Sequence, residues 1–365
     1  MKKRVIITTG GTGGHLYPAQ ALAQELMAVS TSIELLFAGG HLSTTPFFDQ
    51  QRFLFKDIEC SSLPYRPLSC LKSLWKICKG VGQSLKMIKQ FRPELIIGFG
   101  SYHTIPTLIA ARLCQVPFAL HEANSLPGKA NRWMAPHATF VGVNFLTAKK
   151  FLKGNVVEVA LPVRKTQVVD KQSALDYYCL KDHRTTILIF GGSQGAASIN
   201  EVMKKILPAL KGLPLQFIHF TGQQKEIKTL SALYARYQFP ACVKDFEKKM
   251  EYGWKAADFV ISRAGASTIA EAIENEVPAI LIPYPYATEN HQQKNADFFT
   301  AEVQGGAQLM ENSSLEETLF QEIKKMVEQD LILKRKKAIC FYKTVPKKTL
   351  CQLVLDQLID GGGSP

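Results

Sequence analysis

Two glycine-rich runs, one from Gly10 through Gly11, Thr12, Gly13 and Gly14 to His15, the other Gly191, Gly192, Ser193, Gln194 and Gly195, each follow a short apolar run and precede a helical pattern. Glycines at such a handover let backbone N–H groups approach an anion beside the positive end of the following helix, so each run is a candidate phosphate cradle. A tight turn without a ligand needs fewer glycines than the first run carries. A dinucleotide fingerprint fits poorly, because Leu16 stands at its third glycine position and the second strand ends Ala38, Gly39, Gly40 where an acidic residue is required. In the second run Ser193 adds a hydroxyl donor suited to the diphosphate of a leaving nucleotide.

A third constellation runs from Ser262 and Arg263 through Ala264, Gly265, Ala266, Ser267, Thr268, Ile269 and Ala270 to Glu271. Its small residues permit close approach of a ligand, and Glu271, read as following a turn rather than lying mid-helix, can accept hydrogen bonds from two ribose hydroxyls. The loop Glu289, Asn290, His291, Gln292, Gln293 concentrates hydrogen-bonding side chains suited to sugar hydroxyls. His121, Glu122, Ala123 and Asn124 follow an apolar run ending at Leu120, which places an acid-base candidate at a strand's carboxyl end. No Asp-x-Asp occurs, the nearest being Asp57, Ile58, Glu59, so a divalent ion would lack its usual carboxylates and metal-independent chemistry is expected, with no cofactor.

The elements that must position these residues repeat one plan twice. In the first half a strand at Arg4 to Thr8 leads through the glycine run into a helix with Ala19, Leu22, Ala23 and Leu26 at helical spacing, and strands follow at Ile33 to Ala38, Leu95 to Ile97 and Val116 to Leu120. The plan restarts at Thr186, with a strand through Phe190, a helix carrying Ile199, Val202, Met203, Ile206 and Leu210, and strands at Leu215 to Phe220, Phe259 to Ser262 and Ala279 to Ile282. This is an α/β fold of two Rossmann-like halves, with a linker at Pro162 to Gln172 and a hinge near Pro162 to Lys165. Such sheets bind ligands beyond the carboxyl ends of their strands, so two facing domains would form a cleft lined by both sets of loops.

Composition bounds the partners. At 365 residues the chain is long enough for two ordinary domains, and 46% hydrophobic with 21% charged residues is globular composition. The formal net charge of +13 favours anionic partners, phosphorylated substrates and acidic lipid among them, without choosing between them. Eight cysteines with no Cys-x-x-Cys pair read as free thiols. Met1, Lys2, Lys3 and Arg4 precede only Val5, Ile6 and Ile7, too short an apolar run for a signal peptide, and no run reaches the length of a membrane span, so membrane contact should be peripheral.

Taken in order, Gly10 to His15, Gly98 to Tyr102, His121 to Asn124, Pro162 to Arg164, Gly191 to Ala196, Arg263 to Glu271 and Gln292 with Gln293 resemble the motifs of the MurG family across nearly the whole chain. These bacterial enzymes add N-acetylglucosamine to muramoyl-pentapeptide diphospho-undecaprenol in cell-wall synthesis. The resemblance implies a GT-B fold, two facing Rossmann-like domains with a cleft between them. The expected domains are residues 1–161, an acceptor and membrane-association domain joined by a C-terminal helix at about 346–360, and 162–345, which hold UDP-N-acetylglucosamine. By similarity Arg164, Ser193, Ala266, Ser267 and Thr268 serve the donor's diphosphate, Glu271 its ribose, Phe246, Glu247 and Met250 the uracil, and Asn124, Gln292 and Gln293 the sugar. Thr12, Gly13 and Gly14 count with the donor site, while Gly13, Gly14, His15 and Tyr102 count with the acceptor's. Inverting transfer to a hydroxyl needs one base, for which His15 and Glu122 are candidates, His15 preferred because an imidazole titrates near working pH. Three departures stand out: Ala160 and Leu161 replace the family's Gly-Asn, Ala123 the middle residue of Glu-Gln-Asn, and Ser101 a glycine.

From Leu71 to Ile88 the residues Leu71, Leu74, Trp75, Cys78, Val81, Leu85 and Ile88 recur at helical spacing, with Lys72, Lys76, Lys79, Lys86 and Lys89 on neighbouring faces. A basic amphipathic segment of this kind lies in a membrane interface or packs on the sheet, and Gly80 and Gly82 weaken it as a helix. The lipid-borne acceptor that the resemblance implies favours the membrane, as a peripheral contact with anionic lipid on the cytoplasmic face of the inner membrane. Competing readings are another UDP-sugar enzyme, a glycolipid synthase or a 2-epimerase, and a non-catalytic lipid- or nucleic-acid-binding protein. Nonspecific binding of nucleic acid would require none of the glycine loops, so no nucleic-acid partner is expected.

Overall fold

The computed structural model describes residues 2–62, 67–160, 162, 169–192 and 196–360. The chain divides into two compact units, residues 1–164 with 347–365, and residues 165–346.

The first unit is built on a parallel seven-stranded sheet of β1 (Lys3–Thr8), β2 (Ile33–Gly39), β3 (Phe55–Asp57), β4 (Leu95–Gly98), β5 (Phe118–Glu122), β6 (Val141–Val143) and β7 (Val156–Glu158), in the order β3-β2-β1-β4-β5-β6-β7. Parallel strands covered on both faces read as continuous apolar runs, and Val5, Ile6 and Ile7 of β1 are fully buried. The odd residues Val5, Ile7, Leu95 and Ile97 meet Leu16, Leu22 and Leu26 of α1 (Gly13–Val29), while the even Ile6, Ile96 and Leu120 meet α2 (Pro67–Phe91) and α3 (Ile105–Leu113), with α4 (Lys129–Met134) on the same side. β5 continues two residues beyond the expected Leu120, so His121 and Glu122 lie in the strand itself.

Helix α2 runs unbroken through both glycines. A Cβ on Gly80 would lie 1.9 Å from the Glu59 carbonyl oxygen and 3.0 Å from Cβ of Pro106, so this glycine marks where the helix backbone crosses its neighbours, whereas Gly82 has nothing within 4 Å.

The second unit carries β8 (Thr185–Phe190), β9 (Leu215–Phe220), β10 (Ala241–Lys244), β11 (Phe259–Ser262), β12 (Ala279–Leu281) and β13 (Gly306–Gln308), parallel throughout, in the order β10-β9-β8-β11-β12-β13. Around it lie α5 (Lys171–Tyr177), α6 (Ala197–Ile206), α7 (Gln224–Arg236), α8 (Met250–Ala256), α9 (Ala266–Glu274), α10 (His291–Ala301), α11 (Leu315–Glu328) and α12 (Leu331–Thr344). Ile199, Val202, Met203, Ile206 and Leu210 enter one core with Ile187, Ile189 and Phe217, as their spacing requires. The expected linker ends sooner than read: Asp170 caps α5 by accepting the Ser173 amide at 2.9 Å, so Lys171 and Gln172 are helical. Leu161, Arg164, Lys165 and most of the expected hinge lie outside the described residues.

The chain returns to the first unit through α13 (Leu350–Asp360), whose Leu350, Cys351, Val354 and Leu358 are buried in the core beneath α1. Ala160 N–H donates to the Lys348 carbonyl at 3.0 Å and Lys347 pairs with Glu158 at 2.7 Å, tying this helix's approach to the end of β7. Among the described residues no helix is long and apolar enough to cross a membrane.

Candidate active site

In the first unit β1 hands over to α1 through Thr9, Gly10 and Gly11, the last at φ +88°, a conformation open to glycine. Thr12 begins the helix without a side-chain cap, and its first turn holds no acidic residue. The amide end of this 17-residue helix therefore has no side-chain cap of its own, with Gly13 and Gly14 as its first two residues. His15 stands on this turn, half-buried, its amide donating to the Thr12 carbonyl at 3.1 Å. The hydroxyls of Thr8 and Thr9 are buried at the same strand end and have no partner among the described residues.

The end of β5 places two side chains on opposite faces of the sheet. His121 is buried beside Phe99, with Nε2 3.0 Å from Oδ1 of Asn144. Burial lowers this imidazole to about 4, the Asn144 bond working against the shift and the nearby His15 with it. Glu122, also buried, accepts four hydrogen bonds: from the Asn124 amide (2.9 Å), Asn124 Nδ2 (3.3 Å), the Gly128 amide (2.9 Å) and Asn131 Nδ2 (2.9 Å). The carboxylate therefore brackets the loop carrying Asn124. Tyr102 is 43% exposed and stacks on His103 with ring centroids 4.1 Å apart. Ser101, where the family has glycine, sits at φ 65° and ψ 158°, a region essentially reserved for glycine.

In the second unit Gly191 and Gly192 (φ +81°) leave β8 towards α6, and Ser193 lies outside the described residues. Gly265 precedes Ala266, Ser267 and Thr268 in the first turn of α9, with no side-chain cap and no acidic residue there. The Ser267 hydroxyl is buried and has no partner among the described residues. Glu271 is the sixth residue of α9, because the helix begins immediately after Gly265. Trp254 Nε1 donates to its Oε2 at 2.8 Å, which fixes the direction of the carboxylate.

Phe246 is 56% exposed, while Glu247 is buried just before Met250 begins α8. Burial raises the Glu247 carboxyl, but Lys244 Nζ at 2.7 Å and the Lys249 amide at 2.9 Å outweigh it and hold the group below its ordinary value. Gln292 and Gln293 belong to the first turn of α10 rather than to a loop. Gln292 Oε1 accepts the Tyr284 amide at 2.9 Å, and Gln293 Nε2 donates to Asp297 at 3.1 Å.

Arg263, which the sequence pattern placed in a motif without a role of its own, is a positioning residue. Its buried guanidinium donates to Ser198 Oγ (2.8 Å) at the start of α6, to the Ile282 carbonyl (3.1 Å) and to the Glu311 carboxylate, and lies 5.3 Å from the Tyr284 ring centre. It thus ties the start of α6 to the segments after β12 and β13. The available signal was an arginine among small residues after a fully buried strand, a place where an unpaired charge could not stay.

Helix α2 turns part of its apolar stripe outward. Leu71, Leu74 and Trp75 are 71%, 53% and 62% exposed beside exposed Lys72 and Lys76, with Lys79 Nζ 5.4 Å from the Trp75 ring centre. Ser73, Gly80, Ser84, Met87 and Ile88 form the buried face instead.

The chain matches the glycosyltransferase family 28 N-terminal domain over residues 5–143 and the family's C-terminal domain over 186–352. It is 47% identical over 361 residues, 98% of this chain and 96% of the relative, to the UDP-N-acetylglucosamine--N-acetylmuramyl-(pentapeptide) pyrophosphoryl-undecaprenol N-acetylglucosamine transferase of Protochlamydia amoebophila (strain UWE25). A protein of the same name from Desulforamulus reducens (strain ATCC BAA-1160 / DSM 100696 / MI-1) is 36% identical over 91% of this chain and 92% of its own length. Among solved structures, Acinetobacter baumannii MurG superposes with a TM-score of 0.75 at 26% identity, over 98% of this chain and 99% of that one. Two parallel-sheet units, two uncapped glycine turns and full-length relatives agree: the chain belongs to the MurG family of glycosyltransferases, with the GT-B type of fold.

Proposed function

We propose that this protein transfers N-acetylglucosamine from its UDP donor, with inversion, to the muramoyl 4-hydroxyl of undecaprenyl-diphospho-muramoylpentapeptide, converting lipid I to lipid II. The observation that carries this reading is near-full-length similarity to relatives bearing that activity's name, and the first turn of α9 supports it. In this mechanism the acceptor oxygen bonds to C1 as the bond from C1 to the UDP oxygen breaks, and the hydroxyl proton passes to His15. Negative charge on the departing diphosphate is met by the α9 amides, Ser267 and Thr268, together with Ser193 and Arg164. Phe246, Glu247 and Met250 take the uracil, and Gln292, Gln293 and Asn124 the sugar. Gly13, Gly14 and His15 of the α1 cradle, with Tyr102, take the acceptor, whose diphosphate lies at the loop, while Thr12, Gly13 and Gly14 count with the donor as well, and no metal ion is required.

The test is transfer of labelled N-acetylglucosamine to lipid-linked muramoyl-pentapeptide with and without a chelator. Transfer that survives chelation is the expected result. UDP release or an epimerised sugar without acceptor would replace it with a different UDP-sugar reaction on the same fold.

Glu271, oriented by Trp254, binds the ribose hydroxyls in this reading. Glu271→Ala should raise the donor Michaelis constant about 10-fold or more, two hydrogen bonds to a charged acceptor being lost. An unchanged constant in a folded variant removes the ribose assignment.

The exposed Leu71, Leu74 and Trp75 with Lys72, Lys76 and Lys79 fit a peripheral docking face for anionic lipid at the cytoplasmic side of the membrane. Leu74→Glu with Trp75→Glu should reduce co-sedimentation with anionic vesicles at least about fivefold, since apolar area and charge attraction act together. Retained sedimentation, with turnover of a short-chain acceptor also intact, would move the docking face elsewhere.

A further inference from the structure

We propose that His103 is a hydrogen-bond donor in the α1 anion cradle: its Nε2–H binds a phosphate oxygen of the acceptor's diphosphate, and Cys60 fixes the tautomer that places the hydrogen there. The inference rests on the reading above that this cradle takes the acceptor's diphosphate.

His103 is 4% exposed and lies against the glycine loop, not merely near it. A Cβ on Gly10 would come within 2.7 Å of the His103 Cβ and Cγ, and one on Gly40 within 2.5 Å of Nδ1. One on Gly11 would stand 3.4 Å from Cδ2 and 3.5 Å from Nε2. The imidazole therefore runs along the loop with its Nδ1 edge towards Gly40 and its Nε2 edge at Gly11. Tyr102 stacks on the ring, and Ser101 holds the preceding turn in a strained backbone conformation at φ 65°. A ring so confined has little freedom to turn its polar edge away.

The ring's hydrogen-bond partner among the described residues is Cys60, whose Sγ lies 3.1 Å from Nδ1. Burial, with the nearby His41 and His15 adding to it, lowers His103 to about 4. Burial, helped by Glu59, pushes the Cys60 thiol up to about 11. Both groups are therefore neutral at the pH of the cell. In a neutral imidazole one nitrogen donates and the other accepts. Imidazole nitrogen is a strong acceptor and thiol sulfur a weak one, so the favoured arrangement has Cys60 S–H donating to Nδ1, which leaves the ring hydrogen on Nε2. That hydrogen lies on the Gly11 side of the ring, at the loop proposed to take the diphosphate, and a neutral donor works there without needing to take up a proton.

The probe is inorganic pyrophosphate, tested as an inhibitor competitive with the lipid-linked acceptor at saturating donor. His103→Leu should raise its inhibition constant, and the acceptor Michaelis constant, about 10-fold or more, the worth of one hydrogen bond to a charged group. The donor Michaelis constant should stay within about twofold, as for a contact made to the acceptor alone. His103→Gln, whose amide reaches the place of Nε2, should recover most of the loss. His103→Asn, whose amide reaches only the place of Nδ1, should not, and this pair decides the matter if the leucine variant does not fold. Cys60→Val should show a smaller loss of the same kind, and Cys60→Ser, which keeps a donor to Nδ1, close to none. Competition in the wild type with no change on His103→Leu, or equal behaviour of the Gln and Asn variants, overturns the inference and leaves the cradle reading standing. Failure of pyrophosphate to compete with acceptor in the wild type overturns the cradle reading, and the inference with it.

Discussion

Replacing His15 by alanine is expected to lower turnover by about 10²- to 10⁴-fold, the contribution of a positioned general base. Both Michaelis constants should change little, because the lost interaction belongs to the transition state. The expectation follows from where the side chain stands. His15 occupies the first turn of α1, one residue after the two glycines that open the helix, so a base there lies beside the proposed acceptor cradle. Burial lowers its imidazole neighbours His103 and His121 to about 4 each, with His15 adding to both shifts. The acid limb of the turnover profile, set by protonation of the base, should disappear with the side chain. Single-turnover transfer by a folded His15→Ala protein at the wild-type rate would move the base to another residue.

Glu122 was the other candidate base, and its surroundings predict a different phenotype. A carboxylate offers about four lone-pair directions, and four donors from Asn124, Gly128 and Asn131 already occupy them in a buried place. Glu122→Ala should therefore cost about 3–5 kcal/mol of stability, since it leaves several buried donors unpaired at 1–3 kcal/mol each. Urea unfolding would read this as a lower midpoint with an unchanged slope. The donor Michaelis constant should rise as well, because Asn124 loses the group that holds it. Glu122→Gln keeps the shape but turns an amide N–H₂ towards other donors, so a smaller loss of the same kind is expected. A Glu122→Gln protein of wild-type stability whose turnover falls a hundredfold or more would restore Glu122 as the base.

How much could be read in advance depended on how local the cause was. The strands were legible because parallel strands between helices are apolar throughout, and β9 and β11 match their expected bounds. The glycine turns were legible because a positive φ, as at Gly11 and Gly192, selects one residue type. Helix starts were less so. The pattern places Glu271 early in a helix after the turn and Gln292 in a loop, whereas Glu271 is the sixth residue of α9 and Gln292 the second of α10. Nothing in the one-dimensional pattern says that a helix starts uncapped, and a missing cap is the very feature an anion site needs. Contacts between distant positions were hidden altogether. Cys60 and His103, or Arg263 and Glu311, are ordinary residues until the fold brings them together. The apolar stripe of α2 was visible, but not its division into an exposed half at Leu71 to Trp75 and a buried end at Ile88, because spacing does not tell which face a sheet will cover.

The return of α13 to the first unit also sets a timetable. Its Leu350, Cys351, Val354 and Leu358 fill a core whose other members, among them residues of β1, β4, β5 and α1, all lie before the second unit. On the ribosome that core waits, open on one side, while the whole second unit is synthesised and free to fold as an uninterrupted stretch of chain. The second unit is in effect an insertion near the end of the first, and the protein is finished in the reverse of the order in which its halves begin. Leu22 and Leu26 of α1, which share that core, consequently lack the α13 side of their packing until Leu350 to Leu358 have been made.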